Sequence, residues 1–309
     1  MRAYFSFVVL SFFLVQSVQA AKPLPGVGEW QEQGPAKMRL VAGQLPGGVT
    51  ALGVEMQLQP GWRTYWKYPG GSGIEPVFDW AGSANFKAQT PMFETPLRFT
   101  DPAGDYFGYE AGTLISIPVR MMQTRLRPDP EPYLAEDGTT KIVPPPLRWE
   151  EAIIYTGTPL QPGDVLDVRL SVDIGVCQTV CLPLTFEFAG AVSQDQLASN
   201  QFQAVFDGHI KALPKPPGEA LQIDNLTFDG VSLNMVVLGQ QLLDPEIIIA
   251  GGPLDAFEAP VYLGRDEVAY LVSIPAWAGL DAPFVGRDLE VIVVNGPHAI
   301  SQKITVQSP

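Results

Sequence analysis

Two cysteines, Cys177 and Cys181, are the only thiol residues in the 309-residue chain. They lie in VRLSVDIGVCQTVCLPLTFEF, residues 168–188. Such a pair can exchange thiol for disulfide, form an inert local bond, or offer two thiolates to a soft ion such as Cu(I). The backbone must first bring them together. One extended strand would hold them about 13 Å apart, at ~3.3 Å per residue. A disulfide needs Cα atoms within roughly 4.4–6.8 Å. A helix could place residues four apart on one face, but the flanks read as strands. Val168, Leu170, Val172, Ile174 and Val176 alternate with Arg169, Ser171, Asp173 and Gly175, and Leu182, Leu184, Phe186 and Phe188 alternate with Pro183, Thr185, Glu187 and Ala189.

Folding these strands about Gln178-Thr179-Val180 sets Cys177 against Cys181. Val176 then meets Leu182, Ile174 meets Leu184, Val172 meets Phe186 and Leu170 meets Phe188. A one-residue slip would send every apolar residue to the wrong face. Pro183 would face Gly175 and cannot donate to a ladder, so that pair is of the non-hydrogen-bonded kind. Two steps on, 177:181 is of the same kind, with Cα atoms about 4.5 Å apart. The cysteines fall on the more polar face, at the hairpin tip. The bond would close a five-residue ring worth about 2 kcal/mol at most. That position suits exchange better than stapling, and the inert disulfide and the metal pair remain open alternatives.

The elements that hold this hairpin are strands almost throughout. Val54, Met56 and Leu58 alternate with Glu55 and Gln57, and residues 76–80 and 113–121 read the same way. Thirty Gly and thirty Pro punctuate such runs. Residues 123–161 are rich in Pro and charge and form an excursion or loop. Residues 195–213 predict a short helix through Leu197, Phe202, Val205, Phe206 and Ile210. The proline-rich 213–220 stretch connects it to a second unit with strand-like runs at 222–228, 231–238, 246–250, 267–274, 289–294 and 299–307. The expected fold is all-β: two immunoglobulin-like β-sandwich domains with a short linking helix. The boundaries are a signal peptide at 1–20, a redox sandwich at 22–205, a linker at 206–220 and a second sandwich at 221–309.

The signal peptide rests on Arg2, the apolar run from Tyr4 to Val15, and the small residues before Ala20. No later run has the ~20 apolar residues of a spanning helix, so the expected product is exported and not membrane-spanning. A net charge of −14, from 33 acidic and 19 basic residues, argues against nucleic acid as a partner. The Gly70-Gly71-Ser72-Gly73 stretch lacks the Gly-Lys-Ser/Thr of a phosphate loop and reads as a turn. His209 and His298 read as packing or surface residues. No Ser–His–Asp arrangement is evident. Trp62, Trp66 and Trp80 read as core or lid aromatics.

GVCQTVCLPLTFEF resembles the cysteine hairpin of the periplasmic N-terminal domain of DsbD/ScsB disulfide reductases. Residues 61–80, GWRTYWKYPGGSGIEPVFDW, are similar to a segment of the ScsB-like branch, and residues 95–121, TPLRFTDPAGDYFGYEAGTLISIPVRM, to the family's cap-loop strand pair. The resemblance implies an immunoglobulin-like redox domain of the periplasm, a component of a protein-disulfide reductase, with no cofactor besides its own disulfide and no bound metal. It implies that Cys181 forms the mixed disulfide and Cys177 resolves it. Asp105, Tyr106, Phe107 and Gly108 would be the cap loop, Tyr65 a lining aromatic, and Asp105 a carboxylate beside the pair that raises thiol pKa. The implied partners are thioredoxin-fold periplasmic proteins and a separate membrane donor of CcdA/DsbD type, because this chain has neither spanning helices nor a CxxC module. ScsB-like systems are associated with copper tolerance. Copper handling at the cysteines, with Met121 or Met122 approaching, and a non-catalytic envelope module are the competing expectations.

Overall fold

The computed structural model describes residues 24–309 except 71–72, 102–103, 125–132, 135–139, 142–152, 157–159, 161, 243, 251–256, 266–267 and 277–283. The expected signal peptide, and most of the 123–161 excursion, lie outside the described residues. Among the described residues no helix is long and apolar enough to cross a membrane.

Two immunoglobulin-like β-sandwiches follow one another. In the first, one sheet runs Gln31–Gln33, Ala36–Leu45, Val49–Leu58, Gly112–Thr124, Ile153–Thr156 across its width. Phe86–Ala88 and Met92–Phe93 also pair with Gly112–Thr124. The facing sheet runs Cys181–Ser193, Val165–Cys177, Arg63–Gly70, Gly104–Glu110, Leu97–Asp101, and Val77–Asp79 also pairs with Val165–Cys177. Alternation along these strands builds the core. Val168, Val172, Val176, Phe186 and Phe188 from one sheet, and Leu40, Leu52, Val54 and Ile117 from the other, have no exposed surface. Each buried side chain of this size contributes about 1.5–3 kcal/mol through removal from water. Trp66 is buried in this core, and Trp62 and Trp80 pack on it partly buried.

The helical expectation becomes two helices, Gln194–Ala198 and Gln203–Ala212. Ser193 and Gln196 form a reciprocal capping box on the first, and Asn200, at φ +52°, turns the chain between them. The expected linker therefore starts too early. Residues 206–212 pack on the first sandwich, with Phe206 fully buried against Val41, Leu45, Ala51 and Leu114. Gly43 makes room for it, because a Cβ there would run into the Phe206 ring. Only the proline-rich segment after Ala212 connects the units, and its Lys215 bonds to Ala299 and Ser301 of the second sandwich.

The second sandwich has a four-stranded sheet, Leu221–Phe228, Ser232–Gly239, Ala269–Pro275, Val261–Arg265, and a three-stranded one, Glu246–Ala250, Asp288–Asn295, His298–Thr305. Six of these strands lie on runs foreseen above, and Val261–Arg265 is additional. Its core holds Leu226, Leu233, Val237, Val272, Phe284 and Leu289. Ile248, Ala250 and Ile292 point the other way and join the first unit's core cluster.

Candidate thiol–disulfide site

The cysteine hairpin pairs in the register read from the sequence. Cys177 faces Cys181, Gly175 faces Pro183, Val172 faces Phe186, and the ladder continues to Val165 and Ser193. Cys177 and Cys181 are joined in a disulfide with Cα atoms 4.1 Å apart. That separation belongs to a non-hydrogen-bonded pair, as the proline required.

The two sulfurs have unequal surroundings. Cys177 is buried, whereas Cys181 is exposed at the tip beside the exposed Val180 and Leu182. Burial comes from the face away from the core. Tyr65, on the neighbouring strand Arg63–Gly70, reaches over the hairpin, and its hydroxyl donates to Cys177 Sγ at 2.8 Å and to Cys181 Sγ at 3.4 Å. This approach needs a glycine beneath. A Cβ on Gly175 would come within 2.8 Å of Ile74 Cβ and 3.1 Å of the Tyr65 ring. Tyr106 stands edge-on to Tyr65, centroids 5.6 Å apart, and Phe99 stacks on Tyr106 at 5.3 Å. Tyr65, Tyr106 and Cys177 form one buried cluster with Phe99 packed against it.

The structure redistributes the residues expected in a cap loop. Asp105, Tyr106, Phe107 and Gly108 are not in a loop. They lie in strand Gly104–Glu110, which pairs with Leu97–Asp101 as an edge hairpin. Successive side chains of a strand face opposite ways, so only Tyr106 of the four turns its side chain to the disulfide. Gly108 sits opposite Tyr65 and allows the strands to close, since a Cβ there would strike the Thr64 carbonyl. Phe107 packs against the core cluster. Asp105 is no neighbour of the sulfurs. Its carboxylate is held by Arg98 at 2.7 Å and by the Thr100 hydroxyl at 2.7 Å on the far face. The charge on the disulfide face is instead an ion pair that the sequence reading missed, Arg63 with Glu110 opposite it in register at 3.9 Å. Arg63 lies opposite Cys177 in register, donates to the Tyr106 hydroxyl at 3.0 Å and stacks 4.2 Å from the Phe99 centroid. Its pairing with an aromatic two strands away left no local signal. The expectation for Met121 also changes. It is buried in the first core on the other sheet, while the side chain of Met122 lies outside the described residues. Among the described residues no three or more His, Cys, Asp and Glu gather as a metal site.

A second polar constellation assembles where none was evident. His209 is buried, with Nε2 2.8 Å from Ser116 Oγ and Nδ1 3.1 Å from Glu94 Oε1. Thr113 Oγ1 also donates to Glu94 at 3.0 Å. The order Ser–His–Glu is that of a hydrolase triad, but Ser116 has no exposed surface, so no substrate reaches it. It ties the helix Gln203–Ala212 to strand Gly112–Thr124. Nearby, burial first and the Glu94 carboxylate second push the Tyr109 hydroxyl well above its ordinary pKa. It stays protonated and donates to the Glu94 carbonyl at 2.8 Å.

With that geometry in place, residues 32–133 match the family described as "Thiol:disulfide interchange protein DsbD, N-terminal". The matched residues lie in the first sandwich, which is in that stretch similar to the family. The match covers about a third of the chain and includes Tyr65 and the edge hairpin, but it ends before the cysteine hairpin. Among solved structures, the N-terminal periplasmic domain of ScsB from Proteus mirabilis superposes with a TM-score of 0.64 at 15% identity, over 91% of this chain and 98% of that one. At that identity the likeness speaks for the fold, and it spans both sandwiches. No curated protein matches the sequence.

Proposed function

We propose that the protein is a thiol–disulfide exchange component of the periplasm, working through the Cys177–Cys181 bond. The observation that carries this reading is the asymmetry of the pair at a hairpin tip, with one sulfur exposed and its partner buried under Tyr65 and Tyr106. An incoming thiolate needs in-line access to one sulfur and a leaving group that can hold charge. Cys181 offers the access. As its bond to Cys177 breaks, the electron pair stays on Cys177, where the Tyr65 hydroxyl lies within hydrogen-bond reach and Arg63 stands opposite in register. Both favour the outgoing thiolate. Tyr106 and Phe99 act as a cap that keeps water and unselected thiols from the buried side of the bond. The exposed apolar tip, Val180 and Leu182, offers a docking surface to partners of the thioredoxin fold, with electrons supplied by a separate membrane donor. The ScsB name of the superposed structure and the DsbD name of the matched family fit this assignment.

Tyr65→Phe keeps the packing and removes the hydroxyl. It should slow reduction of the disulfide by dithiothreitol about tenfold, the worth of one hydrogen bond to a charged group. Stopped-flow reduction kinetics measure this, and an unchanged rate removes Tyr65 from the chemistry. The function itself is tested by capture. A Cys177→Ser protein, expressed in an envelope containing thioredoxin-fold proteins, should accumulate a mixed disulfide through Cys181 that mass spectrometry assigns to such a protein. Loss of every adduct with Cys181 present would refute the assignment.

A further inference from the structure

The edge hairpin has two faces, and its rear face is held by the second sandwich. Phe99 and Tyr106 face the disulfide, while Arg98, Thr100, Asp105 and Phe107 face away. The hairpin is the outermost element of its sheet. There the second unit supplies the backing. Arg98 uses all three guanidinium nitrogens: Nη1 on Asp105 at 2.7 Å, Nε on Glu246 at 2.8 Å, and Nη2 on the Ile247 carbonyl at 2.6 Å. Its guanidinium also lies 4.9 Å from the Phe107 centroid. One arm therefore grips the hairpin and two grip strand Glu246–Ala250. Phe107 packs against the cluster that Ile248, Ala250 and Ile292 join. A second tie, Lys67 to Glu290 at 2.6 Å, holds the adjacent strand, and Ser301 steadies Glu290.

We infer that the second sandwich is the brace of the cap, with Arg98 as the positioning residue that sets Tyr106 over the disulfide. A planar guanidinium with fixed donors transmits position, which a flexible lysine ammonium would not. Access to the buried side of the bond is thereby coupled to the contact between the two sandwiches. A partner that loosens Glu246 from Arg98 frees the hairpin, and one that leaves the contact intact meets a closed cap. This inference rests on the exchange reading for its purpose, but its test does not. Dithiothreitol reduces the bond whether or not a protein partner exists. With the cap closed its thiolate reaches only the exposed Cys181 Sγ; where the cap opens it also bonds to Cys177 Sγ, the S–S bond breaks, and Cys181 leaves with the electron pair and takes a proton from water. The second thiol of dithiothreitol then closes its ring and releases Cys177 as a thiol.

The test is a kinetic double-mutant cycle on the full chain with dithiothreitol as reductant. Arg98→Ala should speed reduction about fivefold, as expected for loss of a partly exposed but multiply bonded ion pair. Tyr106→Ala should speed it at least as much. Arg98→Ala combined with Tyr106→Ala should be no faster than Tyr106→Ala alone, because Arg98 acts only through the tyrosine. Glu246→Ala, on the other sandwich, should reproduce the Arg98→Ala rate and serves in its place if that variant does not fold. Rates for Arg98→Ala and Glu246→Ala within twofold of the parent would overturn the brace. So would a double variant faster than Tyr106→Ala by the full Arg98→Ala factor. Capture of a mixed disulfide by Cys177→Ser reports on the exchange function separately, so either idea can fail alone.

Discussion

In the reduced protein, Cys181 should be alkylated by iodoacetamide on the order of a hundredfold faster than Cys177, because reactivity follows thiolate exposure as well as pKa. Cys181 is exposed, and Cys177 is 7% exposed beneath Tyr65 and Tyr106. Cys181→Ser should therefore leave a protein whose remaining thiol labels slowly and which exchanges with no partner. Cys177→Ser should leave a fast-labelling thiol. Neither variant should lose much stability, since the five-residue ring is worth about 2 kcal/mol at most. Peptide mapping after timed alkylation measures the ratio. Equal labelling of both thiols would mean that the aromatic cover opens freely, and the asymmetry would then carry no mechanism.

The second large effect concerns the hairpin that presents the bond. Phe186 pairs with Val172 and has no exposed surface, whereas Leu184, two residues nearer the tip, is half-buried. Phe186→Ala should cost about 3–5 kcal/mol, transfer plus cavity. Leu184→Ala should cost about 1 kcal/mol, because less apolar area is lost from a partly solvated site. Urea unfolding measures both. Similar costs at the two positions would mean that the hairpin does not sit on the core in this register.

That register was legible in the sequence for a physical reason. Period-2 alternation on both sides of a three-residue loop admits one apolar match, and Pro183 fixes the type of pair at the tip. The second sandwich was legible for the same reason, run by run. Strand Gly104–Glu110 was not. Tyr106 and Phe107 are adjacent aromatics, so alternation cannot say which one faces the sulfurs, and Asp105 took the wrong side with them. The partners that decide it are remote in sequence: Arg98 meets Glu246 148 residues on, and His209 meets Ser116 93 residues back. The helix Gln203–Ala212 likewise owes its place to Gly43, where the lack of a side chain admits Phe206. Nothing in the local pattern of either segment announces that pairing.

The oxidation state of the protein in growing cells bears most directly on what the cysteine pair does. Acid quenching followed by maleimide labelling fixes the thiols as they stand. The account predicts two bands, oxidised and reduced, whose ratio shifts toward oxidised when the cell's thiol-reducing donors are removed. A single oxidised band under every condition would make Cys177–Cys181 a passive bond and contradict it.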